Sequence, residues 1–349
     1  MTPRGPHRPT LEEVAAHAGV SRATVSRVVN GVATVDPTIV ERVTRSVAAL
    51  RYVPNPAART LMTRRTDTVA LVALEPDTRV FGDPFFSAIV RGVSQELNGA
   101  GLQLVVAMVQ SHEDMGRVET YLLGNHVDGV LLISEHGQHR LTASLTAANI
   151  PVVVGGRPLD TELAVAYVDN DNVHGGELAA QHLLRIGRTC VGTVTGPLDM
   201  SAGTDRLEGF VRGLGAAYRP ELVEHGDFTM DGGAAAMAHL LDRSPDLDGV
   251  FVASDLMALG AIAAVQRSGR RVPDDVAVIG FDDIDLASVA VPGLTTIRQR
   301  TVDQGRMMVR LLFSLIDRAP ATDDAGLPPA PTPGSSIVLP VELVSRESA

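Results

Sequence analysis

Residues 10–30 read TLEEVAAHAGVSRATVSRVVN, and this stretch predicts two short helices around a tight turn. The Thr10 hydroxyl can cap helix one while Glu13, three residues on, reaches back to complete a capping box. Leu11, Val14, Ala15 and Ala18 recur at helical spacing and form an apolar stripe. Gly19 supplies the backbone freedom that the turn needs. Ser21 then caps helix two, with Val20 and Val25 placed as a hydrophobic staple. Val25, Val28 and Val29 face inward, which leaves Arg22, Ala23, Ser26, Arg27 and Asn30 on the opposite face. An arginine there can fork onto guanine O6 and N7 or grip phosphate, so helix two is expected to enter a DNA major groove. The helix pattern alone leaves open an ordinary amphipathic bundle with solvated arginines. A third helix opens at Asp36 and Pro37, a cap residue and the proline that suits a first turn. Ile39, Val40, Val43, Val47 and Leu50 of that helix cover the small core.

Directly after it comes RYVPNPAARTL, residues 51–61. The run from Thr10 to Leu61 resembles the lactose/galactose repressor (LacI/GalR) family, and the similarity continues along nearly the whole chain. The resemblance implies that Arg22 and Ala23 are the principal specificity positions. It also implies that Ser21, Thr24, Ser26, Arg27, Asn30 and Tyr52 contact phosphates and bases. Beyond the proline it implies a hinge helix that folds on DNA and pairs with its dimer mate. Leu61 matches the leucine that wedges into the minor groove, and such wedging bends DNA at a cost of a few kcal/mol per unstacked step. Thr10, Asn55, Ala58 and Arg59 complete the expected DNA-binding set.

Charge divides the chain the same way. It is formally −11 overall, yet up to Arg65 ten arginines face only Glu12, Glu13, Asp36 and Glu41, so the front is +6 and the remainder −17. A basic head on an acidic body suits selective, salt-sensitive phosphate contact better than general adhesion to polyanions. There is no lysine, so arginine makes every basic contact. The single cysteine, Cys190, lies in the apolar run CVGTVTG and reads as a buried strand residue. MTPRGPHRPT at the amino terminus has no apolar stretch suited to export, and a cytoplasmic protein with no membrane partner is expected.

Beyond Thr68 short apolar runs alternate with helical ones, which predicts an α/β fold. A first series of strands is expected at VALVALE, LQLVVAMV, VDGVLLIS and IPVVVGG, and a second at AVAYVD, CVGTVTG, GVFVASD and VAVIGFDD. Intervening helices are expected at 85–99, 173–186 and 256–268. Continuous apolar strands between helices predict parallel sheets covered on both faces, and two series predict two similar lobes. The expected organisation is an all-α headpiece at 1–51, a hinge and linker at 52–68, and a two-lobed core at 69–349. The first lobe takes about 69–166 and 297–320, and the second about 167–296 and 335–346. The Pro- and Ala-rich loop from Ala319 to Ser336 reads as flexible, and SIVLPVELVSR as a strand returning to the second lobe. The family resemblance implies a core like periplasmic sugar-binding proteins, with three chain crossings between lobes. Ligands in such folds bind outside the carboxyl ends of strands, here in the cleft.

The resemblance also names cleft residues. Arg206, in SAGTDRLEGF, matches an arginine that forks onto ligand hydroxyls, and Asp282, in GFDDIDL, an acidic contact opposite it. Phe228 matches a position where an aromatic stacks on the ligand, and a sugar's C–H face suits such a ring. With no tryptophan in the chain, Phe85 and Phe86 are the other available platforms. Ser254 is either a ligand contact or a helix cap, and Asp255 reads as a cap. Relatives often have an acidic residue before the arginine ending the fourth strand; here Gly156 stands there, leaving Arg157 as a pocket candidate.

No catalytic set, metal site or cofactor is expected. Adjacent Asp282 and Asp283 point in different directions and cannot flank a glycosidic bond. His136 and His139 lack a third ligand and read as a solvated loop. VTGPLD lacks the full phosphate fingerprint. The reading is a homodimeric repressor of carbohydrate utilisation that binds a palindromic operator and is released by a small sugar. EPDTRVFGDPFF, VGGRP and GPLDMSAGTDRLEGF are most similar to actinobacterial cellobiose-responsive repressors, which implies a glucoside oligosaccharide. The rival readings are a global regulator with a protein co-effector, a sugar-binding receptor and a sugar-modifying enzyme. A receptor has no use for the amino-terminal helices.

Overall fold

Local signals at the amino terminus settle into three helices: α1 (Leu11–Ala18), α2 (Arg22–Val29) and α3 (Pro37–Leu50). The computed structural model describes residues 9–29, 34–53, 65–137, 140–160, 164–318 and 335–349. Thr10 closes the expected capping box: its Oγ1 accepts from the Glu13 N–H at 3.3 Å, and Glu13 accepts from the Thr10 N–H at 2.7 Å. Gly19 takes the left-handed conformation, φ 62°, that a residue with a side chain resists. Ser21 accepts from the Thr24 N–H at 3.1 Å, and Asp36 caps α3 through the Thr38 N–H at 2.8 Å. Val14, Ala15, Ala18, Val25 and Val43 form the buried centre, with Tyr52 closing one end.

The chain divides into two units, residues 1–66 and 67–349. In the second, Leu and Val runs make two six-stranded sheets. The first contains β1 (Thr68–Ala73), β2 (Gln103–Met108), β3 (Gly129–Ile133), β4 (Val152–Gly155), β5 (Ala166–Asn170) and β11 (Ile337–Leu339), in the order β11-β5-β4-β3-β1-β2. The second contains β6 (Val191–Thr195), β7 (Val223–His225), β8 (Gly249–Val252), β9 (Ala277–Asp282), β10 (Thr295–Arg298) and β12 (Glu342–Val344), in the order β12-β10-β9-β8-β6-β7. All pairings are parallel except β10 with β12.

Helices cover both faces of each sheet, as buried parallel strands require. In the first lobe α5 (Pro84–Gly99) and α13 (Thr301–Leu315) pack on one face, α6 (His112–Leu123) and α7 (Leu141–Ala147) on the other; short α4 (Asp77–Gly82) precedes α5. In the second, α8 (Asn172–Arg185) and α9 (Ser201–Leu214) lie on one face, α10 (Met230–Arg243) and α11 (Asp255–Arg267) on the other; α12 (Asp285–Val289) follows β9. Gly209 permits the close α8–α9 contact, since a Cβ there would sit 1.8 Å from the Val173 carbonyl oxygen.

Two corrections follow. AVAYVD was expected to open the second series, yet β5 joins the first sheet beside β4, and the chain crosses only after Asn170. SIVLPVELVSR is two strands, β11 in the first sheet and β12 in the second, divided near Pro340. The other crossing runs from β10 to α13, so three segments join the lobes. Cys190 is buried as expected. The flexible loop expected at 319–336 falls, over 319–334, outside the described residues.

Candidate effector cleft and reading helix

Each sheet has the order in which strand one sits between strands two and three, so its connections leave in opposite directions on either side of strand one. That reversal opens a crevice at the carboxyl ends, between β1 and β3 in one lobe and β6 and β8 in the other. The two crevices face one cavity lined by residues of both lobes. Segments after β1 and β3 contribute Arg79, Asp83 and Glu135, and those after β6 and β8 contribute Ser201 and Ser254.

Arg206 lines the cavity and is almost wholly buried. Its Nε donates to Asn172 Oδ1 at 2.9 Å and its Nη1 to the Ala253 carbonyl. Asp282 Oδ1 lies 3.5 Å from Nη1, and the guanidinium covers the Phe281 ring at 3.7 Å. Burial lowers the Arg206 pKa, and Asp282 opposes that most strongly. Burial likewise raises the Asp282 carboxyl well above its ordinary range, against the pull of Arg206. Gln299 Nε2 donates to Asp282 at 2.7 Å.

Phe228 and Asp282 both have positive φ, 63° and 122°. Residues with side chains hold such conformations only where surrounding structure enforces them, which is common at binding sites. For Asp282 the enforcement is visible in buried Asp255, which accepts the Ile284 N–H at 2.9 Å and the Thr296 hydroxyl. Asp255 was expected as a helix cap. Ser254 is the cap of α11, accepting the Met257 N–H at 3.3 Å, and it also lines the cavity.

Phe85 lines the cavity but Phe86 does not. Phe86 is 1% exposed, packs edge-on against Phe85 and belongs to the first-lobe core. Neighbours on a helix point about 100° apart, so only one of the two can reach the cleft. Arg157 reaches it from the end of β4 and forks onto Asp205 of α9 at 2.6 and 3.1 Å, an ion pair between lobes. His136, expected in a solvated loop, is also a bridge: Nδ1 lies 2.8 Å from Asp199 and Nε2 3.4 Å from Glu75. Hydrogen bonding to Glu75, then to Asp199, raises its pKa against burial. His139 lies outside the described residues, and among those described no cluster could hold a metal.

Sequence reasoning missed Arg79, Asp83, Glu135, Asp169, Asn172, Gln299 and Gln304, all of which line the cavity. Arg79 donates to the Asp227 carbonyl at 2.9 Å and lies 4.9 Å from the Phe228 ring centre, joining the lobes at a third place. Asp169 accepts from the Arg157 backbone at 3.0 Å and from Asn172 Nδ2 at 3.0 Å; burial pushes its carboxyl up to about 6. The tetrad DNDN at 169–172, following an apolar strand, was the available signal.

In the headpiece Ser21, Arg22, Ala23 and Arg27 are exposed, with Thr24 and Ser26 half-buried. Arg22 Nε lies 3.1 Å from Glu12, in a solvent-exposed pair that a phosphate or base can displace. Tyr52, which the resemblance makes a DNA contact, is 9% exposed and packs in the headpiece core. Asn30, Asn55, Ala58, Arg59 and Leu61 lie outside the described residues.

Comparison with known proteins matches residues 10–55 to "Bacterial regulatory proteins, lacI family" and residues 180–348 to "Periplasmic binding protein-like domain". The HTH-type transcriptional regulator CelR of Thermobifida fusca is 51% identical over 313 residues, covering 88% of this chain and 92% of that protein. The chain belongs to the lacI family. Another lacI-family relative, the ribose operon repressor of Escherichia coli K12, is 34% identical over 88% of this chain and 93% of its own. A solved CelR–cellobiose complex superposes with a TM-score of 0.75 at 47% identity, covering 98% of this chain and all of that one. The lac repressor dimer bound to operator and the anti-inducer ONPF superposes with a TM-score of 0.83 at 28% identity, covering 98% and 99%. These lacI-family relatives are regulators of transcription rather than enzymes.

Among the described residues no helix is long and apolar enough to cross a membrane.

Proposed function

We propose that the chain is a sequence-specific repressor of carbohydrate-utilisation genes, acting in the cytoplasm as a homodimer on a near-palindromic operator. A glucoside disaccharide such as cellobiose enters the cleft and releases it. The observation that carries this reading is the cleft itself: Arg206 and Asp282 face one cavity beside Phe228, in a chain nearly half identical to a regulator solved with cellobiose. A polyol needs paired donors and acceptors with an apolar ring nearby, and these three side chains supply them.

In this reading Arg22 and Ala23 select bases, while Ser21, Thr24, Ser26, Arg27 and Asn30 hold the α2 register on phosphates. Thr10 secures α1 through its cap. Asn55, Ala58 and Arg59 carry the hinge, and paired Leu61 side chains wedge the minor groove. Phe85, Arg157, Arg206, Phe228, Ser254 and Asp282 form the effector set. A dimer is supported by apolar side chains left in water on and just beyond α12: Leu286, Val289 at 71% exposure and Val291 at 87%.

Sugar and operator must oppose each other by one coupling factor, ~1–3 kcal/mol in typical cases. The test is selection from random duplexes, then titration of the enriched duplex with cellobiose while anisotropy reports DNA binding. Enrichment of a near-palindrome and sugar-dependent release are expected. An unenriched pool, or an affinity that no disaccharide moves, refutes the reading.

A further inference from the structure

The charges on the cleft walls narrow the class of sugar, an inference that rests on the effector reading above. Among the described residues three arginines reach the cavity, and each is already committed. Arg79 lies 3.4 Å from Glu75 and 3.9 Å from Asp83. Arg157 is forked on Asp205, and Arg206 is shared by Asn172, the Ala253 carbonyl and Asp282. Against them, Asp83, Glu135, Asp169 and Asp282 line the same space. In all four, burial raises the pKa and remains the largest influence, so the surrounding positive charge does not offset it.

A site for an anion offers donors that lack a carboxylate partner, and none of these arginines fits that description. A phosphate ester would bring a further one to two negative charges into a space lined by these four carboxylates, with each of the three arginines already paired. A neutral sugar meets the opposite situation. Its hydroxyls can donate to the carboxylates without adding charge to the site.

We propose that Asp83, Glu135 and Asp169 make the cleft selective for neutral sugars and reject their phosphate esters. The effector is then supplied by hydrolysis and uptake without phosphoryl transfer, and a phosphorylating import step would hide it from the protein.

Calorimetry on the full chain with cellobiose and cellobiose 6′-phosphate tests this. The ester is expected to bind on the order of 100-fold more weakly, the scale of like-charge juxtaposition in a desolvated site. Asp83→Asn keeps the helix cap, because asparagine caps as well as aspartate, and keeps the shape while removing the charge. It is expected to strengthen ester binding about tenfold and so narrow the preference; Glu135→Gln is the second variant, with the same sign. Rejection by size alone would leave the preference unmoved in both variants, which overturns the proposal. So does an ester that binds as well as cellobiose. A cellobiose response with equal ester binding removes only the selectivity, whereas no binding of cellobiose removes the sugar reading and this inference with it.

Discussion

The Arg157–Asp205 pair spans the cleft, and its removal is the sharpest test of how the lobes are held. Arg157 stands at the end of β4 in one lobe and Asp205 in α9 of the other, with two N–H···O contacts of 2.6 and 3.1 Å. The Asp205 side chain is 9% exposed and that of Arg157 34%, so the pair is half shielded from water. Charged hydrogen bonds contribute about 1.5–3 kcal/mol when buried and exposed pairs about 0–1. An intermediate figure of about 1–2 kcal/mol is expected here, or roughly 5- to 30-fold in the equilibrium between joined and parted lobes. If sugar binds the joined form, its apparent affinity falls by that factor when the form is depopulated. Calorimetry of cellobiose with Arg157→Ala, Asp205→Ala and the double variant closes a double-mutant cycle. The expected coupling is about 1–2 kcal/mol, with small-angle scattering reporting a larger radius for each single variant. Additive single effects, or unchanged dimensions in solution, would refute the claim that this pair ties the lobes.

Arg206→Ala is expected to abolish sugar-induced release while operator affinity stays near wild type; normal release in an anisotropy titration would take Arg206 out of the pocket. Arg22→Ala should change base preference in each half-site by roughly 1–3 kcal/mol, whereas uniform weakening on all sequences would assign Arg22 to phosphate. Leu61→Ala should reduce DNA bending and affinity together in a circular-permutation gel assay, and unchanged bending would contradict the wedge. For Asp169, the folded chain holds a proton to about pH 6 while the unfolded chain releases it near 3.8. The folded form therefore binds more protons between those values, and stability falls as pH rises through them, by up to about 3 kcal/mol. Urea denaturation across pH 4–7 should show that decline shallower in Asp169→Asn; parallel profiles would remove Asp169 as its source.

Much of this architecture was legible because its signals are local. The box at Thr10 and Glu13, the turn at Gly19 and the apolar runs of β1, β3, β4, β6, β8 and β9 each depend on residues close in sequence. Phe86 was misread as a ligand platform, although 86, 89, 93 and 97 form one helical stripe that buries Phe86 with Ile89, Val93 and Leu97. The placement of β5 was not legible, because a buried strand reads alike in either sheet and no proline or glycine punctuates the crossing at Asn170. The missed cleft residues share one cause. Asp83 is the cap of α5, Gln304 faces inward from the first turn of α13 and Asp169 lies near the end of β5, so each has an ordinary local reading. Only tertiary assembly turns them toward one cavity.

That assembly also bears on how a bound sugar could be felt at the crossings. Arg206 Nε is held by Asn172, whose Nδ2 donates to Asp169 and to the Asn170 carbonyl. Asn170 lies where the chain first leaves one lobe for the other, and its side chain donates to Gln304 at 2.9 Å and accepts the Arg300 N–H at 2.9 Å. Arg300 lies on the next crossing. Four buried side chains, Arg206, Asn172, Asn170 and Gln304, thus form one network that reaches two of the three segments joining the lobes. A buried network of this kind is stable only when every polar group is satisfied, so a shift of Arg206 toward a sugar requires compensation at Asn172 and then at Asn170. Asp282 closes the circuit from the other side, held by Gln299 at the foot of the same crossing. A ligand that touches Arg206 and Asp282, both in the second lobe, gains a differential hold on the lobe arrangement only by also reaching first-lobe residues such as Asp83 and Phe85 across the cavity.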